Sequence, residues 1–248
     1  MKKVIYISIP LLLTFIVSQA QDATSIIKKS DDRMRGSTSY SEMTMKIVRP
    51  SYERSISMKN WQKGNRYSMI LITAPAREKG QVFLKRGNEM WNWIPNISRM
   101  IKLPPSMMSQ SWMGSDYTND DLIKQSSIVV DYDHKILSEE EIRGHKTWKI
   151  ELIPKPDAPV VWGKIIAWVD KENYNQLRVE FYDEENELVN TQILKNIREM
   201  DGREIPTTWE MIPADEPDQK TVIELEKIEF NQTIADGFFS QQNMKRIR

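Results

Sequence analysis

The chain has 248 residues, 35 basic and 35 acidic, with no cysteine, 14 methionines and 8 tryptophans. The balanced charge excludes the basic footprint of a nucleic-acid binder, and the missing cysteine excludes disulfides, thiolate metal sites and a lipid anchor on a leader cysteine. About 230 residues still bury enough apolar surface to hold one domain together without cross-links.

At the N-terminus, Lys2 and Lys3 precede an apolar run from Val4 to Val17, followed by Ser18-Gln19-Ala20. This pattern predicts a secretory signal peptide over residues 1–20, cleaved before Gln21. The run, of about 14 residues and containing Pro10, falls short of the roughly 20 that a membrane span needs. The expected mature chain, residues 21–248, is soluble; it loses two lysines with the leader, so that 33 basic residues face 35 acidic ones.

From Asp22 to Met34, the small and apolar positions Ala23, Ile26, Ile27, Ser30 and Met34 fall at spacings of three and four, which predicts a helix ended by Gly36. Beyond Gly36 the period becomes two. Strand pairs are expected around Lys63-Gly64-Asn65, Arg86-Gly87-Asn88, Asp183-Glu184-Glu185-Asn186 and Asp201-Gly202, turn sequences that tolerate positive φ. Leu177, Val179 and Phe181 alternate with Arg178, Glu180 and Tyr182, giving one buried and one wet face. With Tyr40–Val48, Ile128–Ile136, Thr147–Ile153, Lys164–Val169 and Thr221–Phe230, the chain holds about eleven strands. That is too many for a flat sheet, so a mainly β chain with a curved antiparallel sheet or partial barrel is expected.

Residues 104–124 break the alternation. Pro104-Pro105 opens this stretch, Gly114 lies within it, and Thr118 or Asn119 is placed to cap a short helix through Lys124. The segment is either a movable cover over the concave face or a fixed plug in the core, since both bury the same residues.

Catalytic constellations are scarce. His134 and His145 have no nucleophile motif near them, and Asp131 to His134 and the Asp116, Asp120 and Asp121 cluster lack the spacing that commits to a metal. With no phosphate loop, nucleophile elbow or dinucleotide fingerprint, neither an enzyme nor a cofactor is expected. The soft apolar residues concentrate instead in 90–113: Trp91, Trp93, Met107, Met108, Trp112 and Met113 are the candidate lipid-binding set. Methionine adapts to variable apolar partners and tryptophan makes a broad wall, although an ordinary core uses the same residues.

Gln81-Val82-Phe83-Leu84, Asn88 through Pro95, and Ser111-Trp112-Met113-Gly114-Ser115-Asp116-Tyr117 with Asp120-Asp121-Leu122 resemble the outer-membrane lipoprotein-sorting family, the LolA-like carriers. Gly144 to Pro156, Trp168-Val169-Asp170-Lys171, Asp201 through Pro206 and Phe238-Phe239-Ser240 follow in the same order, so the likeness spans the mature chain. It implies a half-open β-barrel with helices across its mouth and an apolar cavity. The implied role is a periplasmic carrier for the acyl chain of a lipoprotein or another lipid, served by an inner-membrane transporter and an outer-membrane acceptor. A non-carrier module that docks on a transporter or signalling protein is the alternative on the same fold.

Overall fold

A computed structural model of the protein describes residues 22–124 and 127–248. The expected leader, residues 1–20, lies outside the described residues. No described helix is long and apolar enough to cross a membrane.

The N-terminal helix α1 runs from Ala23 to Arg35 and buries Ala23, Ile26, Ile27 and Ser30, the stripe predicted from the spacing. Its last turn ends at Gly36, whose φ of 63° lies where a Cβ is disfavoured and whose amide bonds back to the Asp32 carbonyl. Thirteen antiparallel strands follow: β1 (Thr38–Arg49), β2 (Tyr52–Lys63), β3 (Tyr67–Ala74), β4 (Val82–Arg86), β5 (Glu89–Ile94), β6 (Arg99–Lys102), β7 (Tyr132–Ile142), β8 (His145–Pro154), β9 (Lys164–Asp170), β10 (Gln176–Tyr182), β11 (Leu188–Met200), β12 (Arg203–Pro213) and β13 (Lys220–Phe230). A four-residue helix α2, Gln241–Met244, closes the chain.

All thirteen strands join one curved, unclosed sheet in the order β6-β5-β4-β3-β2-β1-β13-β12-β11-β10-β9-β8-β7. Every expected hairpin is present. In the β11–β12 turn both Asp201 and Gly202 take positive φ, 48° and 73°, and an Asp201 carboxylate oxygen accepts from the Phe230 amide at 2.6 Å. Strand β6 has no counterpart in the sequence expectation: four residues, mostly exposed, carry too short a pattern to read. The strand expected from Ile128 instead starts at Tyr132. Residues 128–131 form a turn in which the Ser127 amide donates to the Asp131 carboxylate at 2.9 Å, and the Asp131 amide donates to the Ser127 carbonyl at 2.9 Å.

Strands β6 and β7 are consecutive in sequence yet form the two opposite edges of the sheet. Their connection therefore has to pass over one face of the sheet, and it takes the concave one. Segment 104–124 does so, and it packs Trp112, Met108 and Tyr117 into a core shared with Met43, Met45, Ile56, Met58, Phe83 and Met90. Helix α1 covers the other half, where Ile26 and Ile27 meet Ile150, Ile165, Val179 and Leu194. On the convex side of β3–β5, Phe239 and Met244 from the C-terminal segment cover Met69, Leu71, Leu84 and Trp91. This second cover explains why Val82, Phe83 and Leu84 are all buried and alternation disappears there.

Candidate functional site: a cavity under helix and cover

Along β1 the concave-facing positions are Ser39, Ser41, Met43, Met45 and Ile47, each buried, while Tyr40, Glu42, Thr44 and Lys46 face out. Between this face, α1 and the cover lies a cavity of about 300 Å³. The sheet contributes Met43, Met58, Ile70, Met211, Leu225 and Ile228 to its apolar wall, and the cover closes it with Tyr117 and Leu122. Trp162 and Phe181, 5.1 Å apart between ring centroids, stand on the far side. That volume is at the lower end of the range for small-molecule sites.

The cover is held to the sheet by charge as well as packing. Arg49 makes a fork with Asp116, at 3.1 and 2.9 Å, and donates to the Gly114 carbonyl at 3.2 Å. Thr221 donates to the same carboxylate at 2.6 Å, and Arg54 donates to the Met113 carbonyl at 2.9 Å. The segment also folds on itself, with the Trp112 amide donating to the Tyr117 carbonyl at 2.8 Å and the Asp120 amide to the Met108 carbonyl at 3.0 Å. Thr118 is the cap of the short π-helical turn Asp120–Lys124. Its hydroxyl accepts from the Asp121 amide at 3.1 Å while an Asp121 oxygen accepts from the Thr118 amide at 2.8 Å.

The other Asp121 oxygen accepts from the Trp162 indole at 3.0 Å across the cavity. Burial pushes this carboxyl up to about 6, against the opposing pull of the Thr118 and Trp162 hydrogen bonds. A carboxyl with a raised folded pKa binds its proton more tightly folded than unfolded, so its contribution to stability falls as pH rises from about 4 to about 6 and stays low above that. The Asp121→Asn variant is therefore expected to match the parent near pH 4 and to exceed it near pH 7, by at most about 3 kcal/mol in urea unfolding. An equal difference at both pH values would contradict this.

The six residues singled out in the sequence fall into two groups, and none of them lines the cavity. Met108 and Trp112 are the cover's own side chains buried in the core, Trp112 against Phe83 at 5.3 Å, and Met107 and Met113 pack on that core. Trp91 and Trp93 lie on the convex face, where Lys102 stands 5.7 Å over Trp91 and Lys245 stands 5.5 Å over Trp93. His134 is held between the Thr24 hydroxyl at 3.1 Å and the Ile128 carbonyl at 2.6 Å, and His145 sits 3.7 Å from Asp170. Cavity residues missed in the sequence include Ser39, Ser41, Asn60 and Gln62. Their signal was the alternation itself, since positions 39, 41, 43, 45 and 47 share one face.

A thirteen-stranded open sheet wrapped around a helix and a crossing cover defines a LolA-like protein. A family model described as an uncharacterized protein family matches residues 64–246, and the chain belongs to that family. The search of curated proteins gives no match. Among solved structures, a DUF1329 family protein from Desulfovibrio piger superposes with a TM-score of 0.80 at 25% identity, over 90% of this chain and 97% of the other. A LolA superfamily protein from Nitrosomonas europaea gives 0.78 at 25% identity, over 90% and 100%. An outer membrane lipoprotein-sorting protein domain from Vibrio parahaemolyticus gives 0.79 at 20% identity, over 90% and 98%.

Proposed function

We propose that residues 21–248 form a periplasmic carrier that holds the acyl part of a lipoprotein or another lipid in this cavity on its way toward the outer membrane. An inner-membrane transporter would load it and an outer-membrane acceptor would unload it. The reading is of a binding protein, not an enzyme. It rests chiefly on the apolar cavity bounded by α1, the cover and the concave sheet, and is supported by the same fold in a LolA superfamily protein and a lipoprotein-sorting domain.

The energetics suit the role. Each methylene moved from water into such a cavity contributes about 0.8 kcal/mol, so a chain of moderate length binds without a polar anchor. In this reading Met107, Met108, Trp112 and Met113 serve the cargo by seating the cover, and Trp91 and Trp93 by stiffening β5 from behind. Lifting of the cover would widen the entry for cargo, and segments that open are drawn from the less stable parts of a structure.

Native mass spectrometry of protein isolated from cells is expected to show a co-purified acyl species. Hydrogen exchange should be fast over residues 104–124 in delipidated protein and slow with a monoacylglycerol added, while Leu177–Phe181 stays protected in both. A clean apo mass together with an exchange pattern indifferent to lipid would overturn the carrier reading, and a cover as protected as the strands without lipid would make it a fixed plug.

A further inference from the structure

The cavity's lining changes character along β1 and β2. In register, Met45 faces Ile56 and Met43 faces Met58, but the next two concave-facing pairs are Ser41 with Asn60 and Ser39 with Gln62. Four neighbouring polar side chains thus interrupt an apolar floor, and all four line the cavity. Ser39, Ser41 and Asn60 are buried. Burying polar groups inside a curved sheet costs stability unless each finds a partner.

Some of that capacity is satisfied within the patch: Ser39 donates to Gln62 at 3.3 Å, and Ser68 donates to the Asn60 carbonyl oxygen at 3.4 Å. The Ser41 hydroxyl and the Asn60 amide nitrogen make no hydrogen bond to any described residue. Both belong to side chains that line the cavity.

Charge at the cavity is not arranged for an anion. Arg35, the one arginine on the lining among the described residues, is forked to Asp31 one helical turn away, at 3.0 and 3.1 Å. The remaining ionisable carboxyls on the lining are Asp120 and Asp121. A ligand carboxylate or phosphate placed here would be desolvated beside carboxylates, with the Arg35 guanidinium already neutralised.

The geometry points to a head-group subsite built from Ser39, Ser41, Asn60 and Gln62 that selects uncharged, hydrogen-bonding acyl lipids, of the acylglycerol kind, over ionised fatty acids. It rests on the carrier reading. The acyl chain lies against Met43, Met58, Leu225 and Ile228, and the glycerol hydroxyls or ester oxygen meet the Ser41 hydroxyl and the Asn60 amide.

The test uses delipidated mature protein with the neutral apolar dye N-phenyl-1-naphthylamine, displaced by monopalmitoylglycerol or by palmitate near pH 7.5. Monopalmitoylglycerol is expected to displace the dye at least about tenfold more effectively, since an unpaired charge is the costlier group to bury. In the Ser41→Val, Asn60→Leu double variant, with displacement measured against that variant's own dye affinity, the preference should shrink to within about threefold. The single variant Ser41→Val, which suits a strand, repeats the measurement should the double variant misfold. Equal displacement by the two lipids, a preference for palmitate, or a preference untouched in a folded variant would each overturn the subsite while leaving the carrier reading in place. Failure of the dye and both lipids to bind would instead sink the carrier reading, and the subsite with it.

Discussion

Replacing Arg49 by alanine is expected to lower the unfolding free energy by about 3–5 kcal/mol, the range for breaking a buried ion pair from one side. Arg49 and Asp116 are only 13% and 8% exposed, so the abandoned carboxylate would stay largely out of water, with Thr221 as its remaining side-chain donor. The same fork ties Gly114 and Asp116 of the cover to the end of β1, so hydrogen exchange over residues 104–124 should quicken more than in the strands. Asp116→Ala alone should cost a comparable amount. The Arg49→Ala, Asp116→Ala double variant should cost clearly less than the two singles added, because no charge is then left buried alone. Additive losses in urea unfolding would mean that the pair does not act as a unit.

Truncating Trp112 to alanine is expected to cost about 3–5 kcal/mol, the usual price of emptying a fully buried aromatic site. Trp112 has no exposed surface and meets Phe83 of β4, so the loss falls on the contact that seats the cover on the sheet. Its indole nitrogen is buried with no hydrogen-bond partner among the described residues. Trp112→Phe should therefore lose much less, under about 1.5 kcal/mol, since most of the packing is kept and an unsatisfied donor is removed. Equal losses for alanine and phenylalanine would contradict this and mean that a single ring does not keep the contact.

Much of the architecture was legible in the sequence because its signals are local. The Ala23, Ile26, Ile27 and Ser30 spacing buries as one stripe on α1, and the Asp201-Gly202 turn takes the positive φ that a tight antiparallel reversal demands. Alternation in Leu177, Val179 and Phe181 marks a strand with two unlike faces. Strand β6 escaped because four residues at an edge carry almost no period, and the start of β7 slipped because the Ser127 to Asp131 turn is closed by side-chain hydrogen bonds that apolar pattern does not report.

The candidate site was less legible, and Trp91 shows why. Alternation says that Trp91 and Trp93 share a face and that Met90 takes the other, but not which of the two is concave. That assignment depends on the curvature of thirteen strands together and on the C-terminal Phe239 and Met244, which bury the convex side of β3–β5 and so remove the exposed face that would have served as a reference. Met107, Met108, Trp112 and Met113 meet in one core cluster. Their relation to the cavity follows from β6 and β7 lying at opposite edges of the sheet, which the pairings of all the other strands decide.

What the sequence determined by itself is thus the kind of object: an N-terminal helix, a long antiparallel sheet that has to curve, and a non-strand segment rich in methionine and tryptophan. Periodicity and turn chemistry act over a few residues, so each is written where it acts. Only the tertiary structure decided that the segment crosses the sheet's open face, that Arg49 and Asp116 pin it there, and that the space it shares with α1 is floored by Met43 and Met58 on one side and by Ser41 and Asn60 on the other. Those outcomes depend on pairings between residues far apart in the chain, which become neighbours only once the sheet has curled around them.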